Sequence, residues 1–420
     1  MILKQRLIFF IYICILSFFL LYVYNNDISI TYGYLGYNPI ISNFQNWFLI
    51  PFFVFIIIFH LPLKISRPSD FFKLFYLLIV LFSNALFSSA FEYISLTQTI
   101  LLFFLLYTPV LILDLTKKYT YKIDYIKLFS EKNILVQVLV FSIFIGLIIY
   151  QNSKSFGSFD FISSYDRRIL GRSIFPDGSL MAYFSSALFN SLIPFLAFFS
   201  AYKKKMSLLF ITLLLMVMSY WSVGLKSLFI YVLVFYFLGF TIKREKTDTI
   251  PKYLILGLIL ILVISFFEFI FFNFSYTSQF LVRRIFVVAA HLQTLYYDAI
   301  TNLDLYSFFT GLDVTDQYSD VTYFVGSEYL NNEIVNANTN TYSYYFLKLG
   351  FLGYLLNIFF ITSFYIVLDS LYKKNQNPII IFVSCLFAIL ICEKSFTASL
   401  ISSGLFLFVI LSIFSKKFRI

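Results

Sequence analysis

Apolar residues in this chain come in long, nearly unbroken runs. They show neither the alternation of a half-buried strand nor the one-sided stripe of a water-facing helix. The runs fall near residues 7–24, 47–63, 74–91, 96–113, 134–150, 180–201, 206–221, 226–241, 253–274, 341–367, 378–392 and 398–414. A hydrocarbon core about 30 Å thick is crossed by about 20 residues at 1.5 Å each. The pattern therefore predicts an all-α polytopic integral membrane protein of about twelve transmembrane helices. The pairs at 206–241 and 378–414 would be joined by very tight turns. No internal repeat is visible, and residues 1–420 read as a single transmembrane domain.

Composition supports that pattern. Of the 420 residues 60% are hydrophobic, 22% aromatic and only 12% charged, where a soluble domain carries roughly a quarter charged residues. No water-exposed surface can be assembled from such a chain. The net charge of +10 then reads as basic connecting loops and not as a nucleic-acid footprint. Cys14, Cys385 and Cys392 lie inside apolar runs, which argues against a disulfide framework or a zinc site. The first run is not followed by a small-residue cleavage site, so it is expected to be a retained helix.

Charge also orients the set. Lys4 and Arg6, then Lys64, Arg67 and Lys73, then five lysines in 117–132 fall on one side. Lys203, Lys204 and Lys205 join them, as do Lys243, Arg244, Lys246 and Lys252, then Lys373 and Lys374, and finally Lys416, Lys417 and Arg419. Together they make 22 of the 31 basic residues, on strictly alternate loops. Basic residues mark the cytoplasmic side, so both termini are expected there, with loops 151–179 and 275–340 external.

That placement makes "SYDRRILGRSIFPDG" (164–178) unusual. Arg167, Arg168 and Arg172 stand on a face whose neighbouring loops, 25–46 and 92–95, contain no Lys or Arg. The arginine fork suits phosphate or carboxylate recognition. The plainer alternative pairs Arg167 and Arg168 with Asp160, Asp166 and Asp177 on a solvated loop. The longer loop opens with "FLVRRIFVVAAHLQTLYYDAI" (280–300). Arg283 and Arg284 head a run over 285–300 that is too short and interrupted to span, and it reads as a re-entrant or interfacial helix. His291, the external one of two histidines, is a candidate proton acceptor or simply an anchor of that helix. Asp298 follows Tyr296 and Tyr297. Asp313, Asp316 and Asp320 match no EF-hand spacing, and 311–354 reads mainly as a solvated segment.

Within the spans, Lys226, Glu268 and Lys348 stand out because charge inside a bilayer is costly. All three are expected in its outer half. Snorkelling to headgroups is the alternative for the lysines. The cytoplasmic loops are short and carry no nucleotide-binding motif. Chemistry at the outer face would have no ATP, so a substrate there must bring its own leaving group.

The stretches "YDRRILGRS", "SVGLKSLFIYVL", "RRIFVVAAHLQTLYYDAI" and "NANTNTYSYYFLKLGFLGY" resemble the O-antigen polymerases (Wzy type), the oligosaccharide repeat-unit polymerases. An Arg-x10-Gly pattern of some members occurs as Arg167 to Gly178, and the matching second-loop Arg-x15-Gly is absent from Arg283 and Arg284. The resemblance implies a GT-C-like, metal-independent glycosyltransferase without a cofactor. It would act at the outer face of the cytoplasmic (inner) membrane on undecaprenyl-diphosphate-linked oligosaccharide as donor and acceptor. A chain-length regulator and a flippase are implied companions. Arg167, Arg168, Arg172, Arg283 and Arg284 would hold diphosphates, with Lys226 and Lys348 adding positive potential. His291 would be the base, with Glu268 or Asp298 as alternatives. An O-antigen ligase, or a flippase or transporter of the same lipid-linked oligosaccharide, remains open.

Overall fold

A computed structural model describes residues 2–40, 46–91, 93–121, 131–152, 167, 175–176, 178–314, 317–333 and 335–414. Among these residues the regular structure is helical throughout, with no strand. Among the described residues, eight helices are long and apolar enough to cross a membrane: Gln5–Thr31, Ser69–Ala90, Leu96–Thr116, Asn133–Gln151, Leu180–Lys203, Met206–Val223, Thr247–Phe272 and Thr341–Lys374. The molecule is an all-helical membrane protein. The other four apolar runs form shorter helices, Phe48–His60, Ser227–Lys243, Pro378–Leu390 and Leu405–Phe414. The 13 residues of Pro378–Leu390 rise about 20 Å, less than the hydrocarbon thickness. By helix length, eight of the twelve expected crossings are met.

The expected single domain is gathered into two compact units. One comprises Met1–Thr120, Pro251–Val367 and Ala388–Phe396; the other comprises Tyr121–Ile250, Leu368–Phe387 and Thr397–Ile420. In the first, Ser69–Ala90 is the central helix, 94% buried, whereas Thr247–Phe272 is 17% buried and turns its Phe267, Phe271 and Phe272 outward. Those exposed rings suit lipid, which solvates apolar surface as well as a protein core does. Phe72 stacks on Tyr76 at 5.0 Å, and Tyr76 meets Tyr342 edge-on at 5.4 Å. A capping box starts Leu96–Thr116: Gln98 N–H donates to Ser95 Oγ, and Ser95 N–H to Gln98 Oε1.

The second unit is built on Leu180–Lys203, 78% buried. Phe195 packs on Phe382 and Phe408 at 5.2 and 4.6 Å. Gly239 lets Ser227–Lys243 close on it, since a Cβ there would meet the Phe198 carbonyl oxygen at 2.1 Å. A small residue at a helix crossing is the usual way for membrane helices to approach closely.

Several helices widen locally to π geometry: Tyr24–Ile28, Tyr76–Leu81 and Ser278–Val287 in the first unit, and Leu188–Leu192 and Ala398–Ser402 in the second. Side-chain competition accounts for two of them. Asn25 and Asn26 donate to the carbonyls of Leu21 and Tyr22 at 2.7 and 2.9 Å, and Asn190 donates to that of Ser186 at 2.8 Å. An amide inserted at i−4 distorts the ladder it borrows from.

Candidate functional site

The segment expected as the external loop 275–340 is mostly helix: Ser278–Val287, Val288–Thr301, Leu305–Thr310 and Val321–Leu330. The first two run on as one element, longer than the expected 285–300. Its second half is packed inside the protein rather than laid on its surface. Ten residues of Val288–Thr301, from Ala290 to Ile300, are buried inside the first unit.

His291 sits on this helix, 3% exposed. Its Nδ1 lies 3.4 Å from Tyr37 Oη. The imidazole is enclosed by Phe91, Tyr37 and Tyr93 at ring separations of 4.8, 5.0 and 5.8 Å. Nε2 is buried without a hydrogen-bond partner among the described residues. Burial in this cage lowers its pKa from 6.5 to about 4, because the charged form loses its water. His291 is therefore neutral at pH 7. Burial likewise pushes the Tyr37 hydroxyl up to about 12, against the pull of Arg283 and Arg284.

The arginine pair is thus close to Tyr37 electrostatically. Arg283 lies over the Tyr32 ring, 4.1 Å from its centroid, and its Nε reaches the Gln279 carbonyl at 3.4 Å. A stacked guanidinium keeps in-plane N–H groups for an anion. Arg284 is exposed. Asp298 is seven residues beyond His291, two turns or about 10 Å along the same helix face. It accepts from Tyr329 Oη at 3.1 Å, and Tyr329 touches Tyr93 at 6.2 Å. Arg283, Tyr32, Tyr37, His291, Tyr93, Tyr329 and Asp298 form one continuous aromatic and polar chain.

Glu268 has a different setting. Its carboxylate accepts from Ser275 Oγ at 2.7 Å, Thr277 N–H at 2.8 Å and Thr277 Oγ1 at 2.9 Å. It holds the turn that leads into Ser278–Val287. A residue absent from the sequence reading completes that turn. Asp27, 4% exposed in the π segment of the first helix, accepts from Ser278 Oγ and from Gln279 Nε2 at 3.0 Å. The signal available was "YNNDIS", a polar continuation of the first apolar run.

Lys348 is paired. Its Nζ is 2.8 Å from Asp320 and 2.9 Å from Tyr344 Oη, which itself donates to Asp320. Asp320 is therefore anchored and not merely solvated. The helix carrying Lys348 breaks at Gly350, with φ 64° and ψ −162°, so Lys348 belongs to a nine-residue segment before the break. In the second unit, Arg167 is 2% exposed with its guanidinium 5.2 Å from the Tyr220 centroid. That burial departs from the solvated-loop alternative. Lys226 stands at the N-terminal boundary of Ser227–Lys243 and is half-buried. Arg168, Arg172, Asp160, Asp166, Asp177 and Asp316 lie outside the described residues. Among the described residues, no group of three His, Cys, Asp or Glu could hold a metal ion.

Comparisons with protein-family models, with curated proteins and with solved structures return no match.

Proposed function

We propose that the protein is a membrane glycosyltransferase that polymerises undecaprenyl-diphosphate-linked oligosaccharide repeat units. The work would be done at the outer face of the cytoplasmic membrane. The observation that carries this reading is a neutral, enclosed histidine against Tyr37, whose ring neighbour Tyr32 lies under the Arg283 guanidinium. Such a site offers a proton acceptor beside an anion clamp, the two elements that a diphosphate-leaving transfer uses.

In the proposed step, an acceptor sugar hydroxyl attacks the anomeric carbon of the donor chain. The bond from that carbon to the diphosphate oxygen breaks, and its electron pair leaves with undecaprenyl diphosphate. The hydroxyl proton passes to His291 Nε2, which the acceptor reaches when the Tyr37, Phe91 and Tyr93 rings around it part, and then to solvent. Arg283 and Arg284 neutralise the departing diphosphate. An anion bound beside the cage also raises the His291 pKa, since opposite charge favours the imidazolium. That brings a weak base nearer to its working range.

The test is purified protein with a lipid-linked repeat unit and no nucleotide. Longer glycans on the lipid are expected, and their absence sinks the reading.

One observation favours the runner-up, a transporter of the same lipid-linked oligosaccharide. The break at Gly350 makes Thr341–Asn375 a discontinuous helix, a feature of transporter binding sites. Translocation of a labelled lipid-linked oligosaccharide across vesicles, with no elongation, would establish that reading instead.

A further inference from the structure

The turn at the end of the first span reads "TYGYLGYNP" (31–39), with three tyrosines in six residues. Their rings form a ladder. Tyr34 is 79% exposed, and its ring lies 6.1 Å from that of Tyr32. Tyr32 lies 6.4 Å from Tyr37, and Tyr37 meets His291 edge-on at 5.0 Å. Tyr37 is 2% exposed, so the ladder descends from open surface to the enclosed imidazole. Arg283 joins at the middle rung, its guanidinium over the Tyr32 ring.

The turn is pinned by its own backbone and by the cage. Leu35 N–H donates to the Tyr32 carbonyl at 2.9 Å, and Gly36 N–H to that of Gly33 at 3.0 Å. Gly36 takes φ 80°, and a Cβ there would stand 3.8 Å from the Tyr93 ring, which itself faces His291. Just beyond, Tyr24 Oη donates to the Asn38 carbonyl and Ile40 N–H to Asn25 Oδ1, at 3.0 and 2.8 Å. Anchoring at lipid headgroups accounts for a single exposed tyrosine. It does not account for an exposed ring that steps down through two others to a buried histidine, with an arginine stacked between.

We infer that Tyr34 and Tyr32 are a stacking platform for a glycan, placed so that a chain held there reaches Arg283 and the His291 cage. A sugar ring presents slightly positive C–H groups on one face, and the face of an aromatic ring is its negative side. Tyr34 offers an open ring face. Tyr32 has one face under Arg283, which sets the order of the ligand: uncharged sugar outward at Tyr34, the anionic end inward at the guanidinium. The ligand class rests on the transfer reading. Both tyrosines act by positioning, since neither touches the reacting atoms.

The test uses the full chain in detergent, with oligosaccharides from mild acid hydrolysis of the source cell's own surface glycan as the probe. Binding is followed by saturation-transfer NMR. The wild type should bind, Tyr34→Leu should weaken binding about tenfold, and Tyr34→Trp should retain it. Leucine keeps apolar surface for lipid but has no ring face, so a headgroup anchor would tolerate it. Tyr306→Leu removes a tyrosine 75% exposed elsewhere in the first unit and should leave binding unchanged. With a lipid-linked repeat unit, Tyr34→Leu should raise KM by a similar factor and leave kcat nearly unchanged. The platform is overturned by undiminished binding in Tyr34→Leu, by equal loss in Tyr34→Leu and Tyr306→Leu, or by a wild type that binds no glycan. Tyr34-dependent binding in a wild type that elongates nothing upholds the platform and removes the polymerase reading. Elongation that ignores Tyr34→Leu does the reverse.

Discussion

His291 is enclosed well enough that its protonation becomes a matter of stability. Its pKa is about 4 in the folded chain against about 6.5 where water surrounds it. Above pH 6.5 the imidazole is neutral in both states and its contribution is fully present. As pH falls from 6.5 toward 4, the unfolded state takes up a proton that the folded state refuses, and stability drops by on the order of 3 kcal/mol. Thermal unfolding in detergent should therefore show a lower midpoint at pH 4.5 than at 7.5. The His291→Gln variant should have a flatter profile. At the same scale, Arg283→Ala should cut glycan extension roughly 30-fold, the equivalent of about 2 kcal/mol for a charged hydrogen bond. Arg283→Lys should recover part of that loss, since an ammonium cannot reproduce the fork. Full extension by the alanine variant, measured on glycan ladders, would remove Arg283 from the clamp. Asp27→Asn keeps the size of a buried side chain but weakens the bonds to Ser278 and Gln279. It should loosen Ser278–Val287 and lower stability by about 1–3 kcal/mol.

The helices themselves were legible where their polarity was uniform. Leu96–Thr116 and Met206–Val223 match the runs 96–113 and 206–221 almost end to end, because a continuous apolar run leaves no other way to satisfy its backbone in lipid. The element Ser278–Thr301 was harder. Its charged and aromatic residues sit at spacings that suit an interface as well as a core. Only the packing of Phe286 against Phe82, and of His291 against Phe91, separates the two. The break at Gly350 was also invisible, since "LKLGFLGY" reads as one apolar stretch. A Cβ at Gly350 would meet the Phe309 backbone at 2.3 Å, in a left-handed conformation. Gly350→Ala should therefore cost about 2 kcal/mol or more. Gly257, with open space around its Cα, should accept alanine with no loss, or a gain of up to about 1 kcal/mol. Unfolding midpoints of the two variants make the comparison. Equal midpoints would mean that the Gly350 break can relax.

Across the whole molecule, the charge bias predicts which side each connection faces. Tyr119 and Tyr306 are 67% and 75% exposed, the first in the lysine-rich connection and the second in the region expected outside. A cysteine placed at Tyr306 should react with an impermeant maleimide in intact cells, and one placed at Tyr119 only after permeabilisation. The reverse pattern would invert the orientation and move the His291 cage to the cytoplasmic side. Membrane class and most spans follow from the sequence alone, because the free energy of burying a helix in lipid is summed over neighbouring residues. Which polar side chains act and which merely hold the structure was decided by tertiary contacts. Asp27 meets Ser278 and Gln279, His60 and Lys73 meet Asp114, and Tyr37 meets His291. Each pairing joins residues far apart in the chain, and a hydrogen bond depends on ångströms that no local pattern encodes.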